Sequence, residues 1–262
     1  MQIARAHRLT RPETSYGPFR FFEAVPWLLL AETFRFAGAN VGVLSAWLAF
    51  IPECVFVLMA FIAVIRRAFP LFDCPVPLEG MSLGDELRLS WRMFWRVVVV
   101  LYIAAVLAGC FGLSSDAPYF MWGLTGVAFN QLSFIGRAWA AVIAALVLLM
   151  ILGADRDTGK PAFAAAFREL AEHGLRFGTT IAALAVFYIG WGTIQILLFN
   201  AIWSIPLFGE ADPRTKGLIF FAVTFAFAFV RLWATLLILT SGLKPSAIGN
   251  QAAATASSSN RP

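Results

Sequence analysis

Charged side chains inside otherwise apolar stretches are the residues of this sequence that could do chemistry. Arg231 stands within "FAFAFVRLWATLL", Arg137 lies near the start of a second apolar stretch, and Glu53 follows Pro52 inside a third. A charge at the centre of a bilayer costs at least about 2.5 kcal/mol, so each needs a partner, a wet cavity or a ligand. Arg231 therefore either binds an anionic lipid or substrate group or takes a structural ion pair or carbonyl hydrogen bonds from a neighbouring helix.

Glu53 is the acidic residue placed well inside an apolar stretch, and it has three interpretations. It pairs with an arginine, with Arg231 the preferred partner and Arg137 the other. It carries protons in a transporter, or it caps the second half of a helix that Pro52 breaks. Arg137 itself is close enough to the start of its apolar stretch for the guanidinium to reach the membrane interface.

Gln195 and Asn200 lie five residues apart in a further apolar stretch. Amide side chains in such helices commonly hydrogen-bond to a neighbouring helix, which we favour here over a ligand site. The pattern contains no nucleophile–base set, so no catalytic residues are assigned and no enzyme activity is expected. The two histidines are far apart and the three cysteines form no CxxC pair, so neither a metal site nor a cofactor is predicted.

The elements that must position these side chains are membrane-spanning helices. The chain has 262 residues, of which 60% are hydrophobic and only 13% charged, whereas soluble domains carry roughly 25% charged residues. The apolar residues form blocks long enough for the ~20 residues that a spanning helix requires. The sequence predicts an all-α integral membrane protein with five spans, at about 41–65, 97–113, 130–153, 179–203 and 218–241.

Two amphipathic helices, here called elbows, are predicted to lie in the membrane interface before a bend into a span. In the first, at 82–96, Ser82 is the N-cap and Arg88, Arg92 and Arg96 share one helical face. Leu87, Trp91 and Trp95 line the adjacent face. The second elbow, "PAFAAAFRELAEHGLRFG", carries Arg168 and Arg176. We expect these five arginines to contact lipid headgroups.

The predicted organisation is one membrane domain at 19–242 between a flexible basic arm at 1–18 and a disordered Ala/Ser-rich tail at 243–262. Residues 19–36 suit an in-plane helix bent at Pro26. The unit of elbow plus two spans occurs twice, at about 82–153 and 160–242, with a degenerate copy at 19–67. The second span of each copy shares a short match, "RAWA" at 137–140 and "RLWA" at 231–234.

The basic residues predict the orientation. Net charge is +5, and Lys and Arg concentrate around the elbows, while the turn at 114–126 has neither. The elbows and the C-terminus are therefore expected to be cytoplasmic. This leaves a conflict, because five spans put the basic N-terminal arm outside. The alternative is a sixth crossing, formed by residues 24–50 or by a hairpin broken at Pro52. The basic charge fits these loops, and no nucleic-acid partner is expected.

The first elbow resembles bacterial six-helix proteins of the glycerophosphoryl diester phosphodiesterase membrane-domain type. These repeat an arginine-bearing span followed by a Gly, small-residue, Ser-Trp and aromatic pattern. The best match here is Gly84, Ser90, Trp91 and Trp95, with Leu87 in place of the small residue. The second elbow keeps the layout without the Ser-Trp. The resemblance covers about 66–242 and implies a multi-pass protein of a bacterial inner membrane. The phosphodiesterase domain of some relatives has no counterpart in this sequence, so the resemblance implies no such activity.

Three function classes remain. The first is a non-enzymatic scaffold, assembly factor or accessory subunit that binds membrane lipids and other membrane proteins, because no catalytic, metal or nucleotide motif occurs. The alternative is a transporter or lipid-handling protein that binds an anionic group near Arg231. A membrane enzyme is the least supported class.

Overall fold

The computed structural model describes residues 17–41, 43–72, 81–110, 133–154, 163–172, 174–205 and 212–258. All the regular elements in these ranges are helices. A 3-10 turn, Pro18–Ala24, leads into α1; a second, Phe69–Phe72, follows α2. The α-helices are α1 Val25–Val41, α2 Val43–Ala68, α3 Leu83–Cys110, α4 Phe134–Leu152, α5 Phe163–Glu172, α6 Gly174–Ser204 and α7 Pro213–Ser258. The predicted N-terminal arm lies almost wholly outside the described residues.

Five of the described segments are long and apolar enough to cross a membrane, which confirms the predicted multi-span, all-α membrane class. They are Leu48–Leu71, Leu83–Leu107, Phe134–Leu152, Phe177–Ser204 and Pro213–Gly242. Each overlaps one of the five predicted spans. The largest shift concerns the second, which begins in the predicted elbow.

The first predicted elbow is not a separate helix. α3 is continuous from Leu83 to Cys110, with no break at the expected bend after Arg96. The physical reason is in the sequence, since neither Gly nor Pro occurs between Asp85 and Ala108. The start is as predicted: the Asp85 N–H donates to the Ser82 hydroxyl at 3.3 Å. The second elbow differs, because α5 ends at Glu172 and α6 begins at Gly174.

Two prolines lie inside continuous α-helices, and the expected break at Pro52 is absent. α2 continues through Pro52 without interruption. Pro26 is the second residue of α1, a position where its missing N–H leaves no helical hydrogen bond unmade. α7 continues to Ser258, so the helix extends into the tail predicted to be disordered. Alanine, the best helix former, is frequent there.

Side-chain caps define the N-terminal ends of α4 and α7. The Ser133 hydroxyl accepts from the Gly136 N–H at 3.1 Å at the start of α4. At the start of α7 the Asp212 carboxylate accepts from the Arg214 and Thr215 N–H groups at 3.1 and 3.2 Å, and from the Thr215 hydroxyl at 2.5 Å. The Thr215 bonds hold the pKa of the Asp212 carboxyl below its ordinary value.

α1 and α2 form an antiparallel hairpin, since only residue 42 separates them and the pair packs more extensively than any other two described elements. Glu23, just before α1, forms an ion pair with Arg67 at the far end of α2. Phe56 stacks on Trp27 with ring centroids 6.0 Å apart. α2 also packs on α3 and α7, while α4 packs on α6 and α6 on α7.

A second ion pair ties the end of α2 to the start of α3. Arg66 bonds to Glu86, and the Glu86 side chain is almost completely buried. One turn further along α3, Ser90 is fully buried, and its hydroxyl has no hydrogen-bond partner among the described residues. Both lie in the stretch whose pattern carried the family resemblance.

Candidate intramembrane binding cavity

Five helices, α1, α2, α4, α6 and α7, enclose a cavity of about 70 Å³ in the bundle interior. This is room for several water molecules or one small anionic group, because one water needs about 10–15 Å³ on this measure. The polar lining residues are Glu32, Glu53, Tyr188, Arg231 and Thr235. The apolar lining residues are Leu28, Ala31, Val57, Leu58, Phe61, Ala140, Ala144, Val147, Ala228 and Leu232.

α1 brings an internally neutralised pair to the cavity. Glu32 and Arg35 form an ion pair between residues three apart, a spacing that puts both on one helical face. The Glu32 and Arg35 side chains are 5% and 11% exposed, so both charged groups are largely shielded from solvent. A buried pair of opposite charges is far less costly than either charge alone. The sequence predicted these two residues only as part of an in-plane helix, so their place in the bundle interior was missed.

Glu53, on α2, is 3% exposed and lines the cavity. The charged side chains that act on it are Arg35 and Glu32. No hydrogen bond or ion pair joins its carboxyl group to another described residue. The expected ion pair with Arg231 is therefore not present. The two residues instead line the same cavity from different helices, Glu53 from α2 and Arg231 from α7.

Arg231 enters the cavity from the interior of α7, far from Pro213 at its start. Tyr188, Glu32 and Arg35 are the ionisable groups near it. The charges of Glu32 and Arg35 cancel, so the Arg231 guanidinium and the Glu53 carboxyl group are the remaining ionisable charges of the cavity lining.

Two hydroxyl groups complete the polar wall. The Thr235 hydroxyl donates to the Arg231 carbonyl at 2.6 Å and lies 2.9 Å from the Tyr188 hydroxyl. Since Thr235 has one proton and directs it to the carbonyl, Tyr188 must be the donor of the second bond. Tyr188 is buried, and the bond links α6 to α7 beside Arg231. Nothing in the spacing of Tyr188 and Thr235 indicated that they would meet.

Arg137 has a different environment from Arg231. It does not line the cavity, and its guanidinium Nη1 donates to the Ile189 carbonyl of α6 at 3.1 Å. A Cβ added to Gly192 would lie 2.6 Å from the guanidinium carbon, so the glycine makes room for this side chain. The arginine therefore fastens α4 to α6, and it is buried in place of reaching the interface.

The other predicted polar residues of the spans also lie outside the cavity. Gln195 is buried and Asn200 is exposed, and neither forms a hydrogen bond to another described residue. The interhelical bond at this level comes from Trp191, whose indole N–H donates to the Phe227 carbonyl of α7 at 3.2 Å. In the part of the chain that is described, no cluster of three metal-binding side chains occurs.

The arginines predicted to meet lipid headgroups lie apart from the cavity. Arg88 is exposed and pairs with Asp85 at 3.4 Å, while Arg92 and Arg96 are partly buried. The neighbouring Trp91 and Trp95 are 44% and 48% exposed. On α5, Arg168 pairs with Glu172 at 3.7 Å. The Arg176 side chain lies outside the described residues.

No known protein family, curated protein or solved structure matches this chain. The candidate site is therefore defined by its own geometry, and the family resemblance of the first elbow stays a prediction.

Proposed function

We propose that this multi-pass membrane protein binds the anionic group of a small solute or of a lipid in the central cavity, beside Arg231. The observation that carries the proposal is the position of Arg231. It is a cation in the interior of a spanning helix, it faces a cavity, and two hydroxyl groups stand next to it. The transporter or lipid-handling class is thereby preferred to the scaffold class.

The chemistry of the lining supports an anion as the ligand. A guanidinium offers several N–H donors in a planar fork that matches carboxylate and phosphate oxygens. The cost of holding this cation at membrane depth falls when an anion is bound next to it. The cavity volume of about 70 Å³ suits one carboxylate, halide or phosphate group, with the rest of a larger ligand outside.

The proposed setting is a bacterial inner membrane with the starts of α3 and α5 on the cytoplasmic side. α3 is about 42 Å long at 1.5 Å per residue, longer than the ~30 Å hydrocarbon core. Its first turns, with Arg88 and Arg92, then extend into the headgroup layer along the helix axis without a bend. A cysteine at Ser82 should react with an impermeant maleimide from the cytoplasmic side, and one at Ser204 from the opposite side.

The α1–α2 hairpin favours the six-crossing alternative for the N-terminus. Because α1 runs antiparallel to α2, residue 18 lies at the same end of the bundle as Arg66 and Arg67. We infer that α1 enters the membrane beside α2, with its Glu32–Arg35 pair shielded from lipid. This places the basic arm on the cytoplasmic side and removes the charge conflict of a five-span topology.

A scaffold or accessory-subunit role remains the second proposal. It rests on the absence of catalytic motifs in the sequence and on the long apolar outer face of α6, where Val186, Ile194 and Leu197 are exposed. Lipid covers such a face as well as a partner subunit does. A stable heteromeric complex after purification in mild detergent would favour this role.

The anion proposal is tested by thermal unfolding of purified protein in detergent. Chloride, acetate and inorganic phosphate as sodium salts should raise the melting temperature of the wild-type protein more than that of Arg231→Gln at equal ionic strength, because binding to the folded state stabilises it. Phosphatidylglycerol in mixed micelles is the fourth ligand, and a response to it alone identifies a lipid headgroup. Arg231→Gln should abolish every response.

The matched control is Arg137→Gln. It also removes an arginine from a spanning helix, but one that does not line the cavity, so the anion-dependent rise should persist from a lower starting temperature. A rise that survives in Arg231→Gln, or no rise with any ligand in the wild-type protein, would contradict the proposal.

A further inference from the structure

The charges of the cavity lining determine whether an anion can enter without a compensating positive charge. Glu32 and Arg35 form an ion pair within α1 and contribute no net charge. The two remaining ionisable charges of the lining are Glu53 and Arg231. With Glu53 ionised, the empty cavity is electrically neutral, so an entering anion would add an uncompensated negative charge.

Such an excess charge is strongly disfavoured, because Coulomb repulsion is weakly screened away from water. The anion would lie between the guanidinium and a carboxylate that line the same small cavity. Repulsion is removed if one proton joins the carboxylate when the anion binds. The occupied cavity is then neutral again, with a protonated carboxyl group, a guanidinium and one anion.

Glu53 is the group placed to take that proton. It is 3% exposed, it lines the cavity, and no described residue holds its carboxyl group in an ion pair or hydrogen bond. Glu32 is already engaged in the ion pair with Arg35, its partner in α1. Tyr188, from α6, already donates its hydroxyl proton to Thr235.

The other elements packed on α2 supply no competing carboxyl group. From α3, Glu86 is bound to Arg66, which lies about 20 Å along α2 from Glu53 at 1.5 Å per residue. From the turn before α1, Glu23 is bound to Arg67, one residue further away. The part of α4 that lines the cavity is apolar, being Ala140, Ala144 and Val147.

We propose that anion binding beside Arg231 is coupled to the uptake of one proton by the Glu53 carboxylate. This inference rests on the proposed function and deepens it, because it makes the cavity a site for an anion plus a proton. The step is balanced. One proton leaves solvent and forms an O–H bond on Glu53, and one anion enters, so the charge of the site does not change.

The direct measurement is proton uptake by the purified protein in weakly buffered detergent solution containing a pH-indicator dye. The titrants are sodium chloride, sodium acetate and phosphatidylglycerol micelles, each run against buffer alone. We expect about one proton per bound anion at a pH where Glu53 is ionised in the empty protein. By linkage, the anion dissociation constant should then rise about tenfold for each further pH unit.

Glu53→Gln imitates the protonated carboxyl group in size and charge. It should bind the anion with an affinity that does not vary with pH, and it should take up no proton. Glu23→Gln is the control, since it removes an exposed carboxyl group outside the cavity and should keep both the uptake and the pH dependence. If Glu53→Gln fails to fold, proton uptake by the wild-type protein still tests whether anion binding is coupled to protonation.

The outcomes separate the two proposals. Anion binding that requires Arg231 but takes up no proton, or uptake that persists in Glu53→Gln, would overturn the coupling and leave the anion site standing. No binding of any titrant by the wild-type protein would overturn both.

Discussion

The two arginines of the spanning helices have different surroundings, and this difference separates a structural residue from a candidate binding residue. Arg137 donates to the Ile189 carbonyl and fits against Gly192, so its charge is satisfied by a fixed dipole of the neighbouring helix. Arg231 faces a cavity that is large enough for a small ligand. Sequence position alone does not distinguish them, because both occur in the same Arg-x-Trp-Ala pattern.

Gly192→Ala tests the Arg137 contact. The added methyl group would lie 2.6 Å from the guanidinium carbon, so the guanidinium must shift and its bond to Ile189 is weakened. We expect a loss of up to about 2 kcal/mol in the free energy of unfolding, the value for complete loss of a hydrogen bond to a charged group. Chemical denaturation in mixed micelles would measure it.

Gly190→Ala is the control, because a methyl group added there would have no neighbouring atom within 4 Å. It should be neutral or slightly stabilising, since alanine favours a helix over glycine. In an Arg137→Gln background the cost of Gly192→Ala should shrink. Equal losses for Gly190→Ala and Gly192→Ala would show that the glycine–arginine contact has no special role.

At the scale of the elements, hydropathy predicted the helices well and their interruptions badly. All five spans follow from apolar blocks of sufficient length. The expected bend after Arg96 rested on a change of polarity, yet a polarity change does not break backbone hydrogen bonds, and α3 has no Gly or Pro there. The expected break at Pro52 is also absent, because a spanning helix tolerates a proline when its neighbours and local adjustments satisfy the freed backbone groups.

The continuity of α3 is measurable as a distance between spin labels at Leu83 and Leu107, which are both exposed. A straight helix separates their Cα atoms by about 36 Å at 1.5 Å per residue, whereas a right-angle bend after Arg96 would leave about 25 Å. Double electron–electron resonance in nanodiscs, with the native cysteines replaced by alanine, should report the longer distance. A distance distribution centred near the shorter value would show that α3 bends after Arg96, as the elbow prediction requires.

At the scale of the whole molecule, the cavity is a product of helix assembly. Its polar residues come from four helices, and the pair on α1 was assigned by sequence to the membrane surface. Glu53 and Arg231 were identifiable because charges in apolar stretches are conspicuous. Tyr188 and Thr235 were not, because tyrosine and threonine are ordinary in spanning helices and only the packing of α6 on α7 brings them together.

The claim that an anion binds beside Arg231 is tested most directly by locating one. Crystals of the protein grown in bromide should give an anomalous difference peak inside the cavity, next to the Arg231 guanidinium and the Tyr188–Thr235 pair. The peak should disappear in crystals of Arg231→Gln and persist in those of Arg137→Gln. Bromide found only on the protein surface, with the cavity empty or filled by water, would contradict the claim.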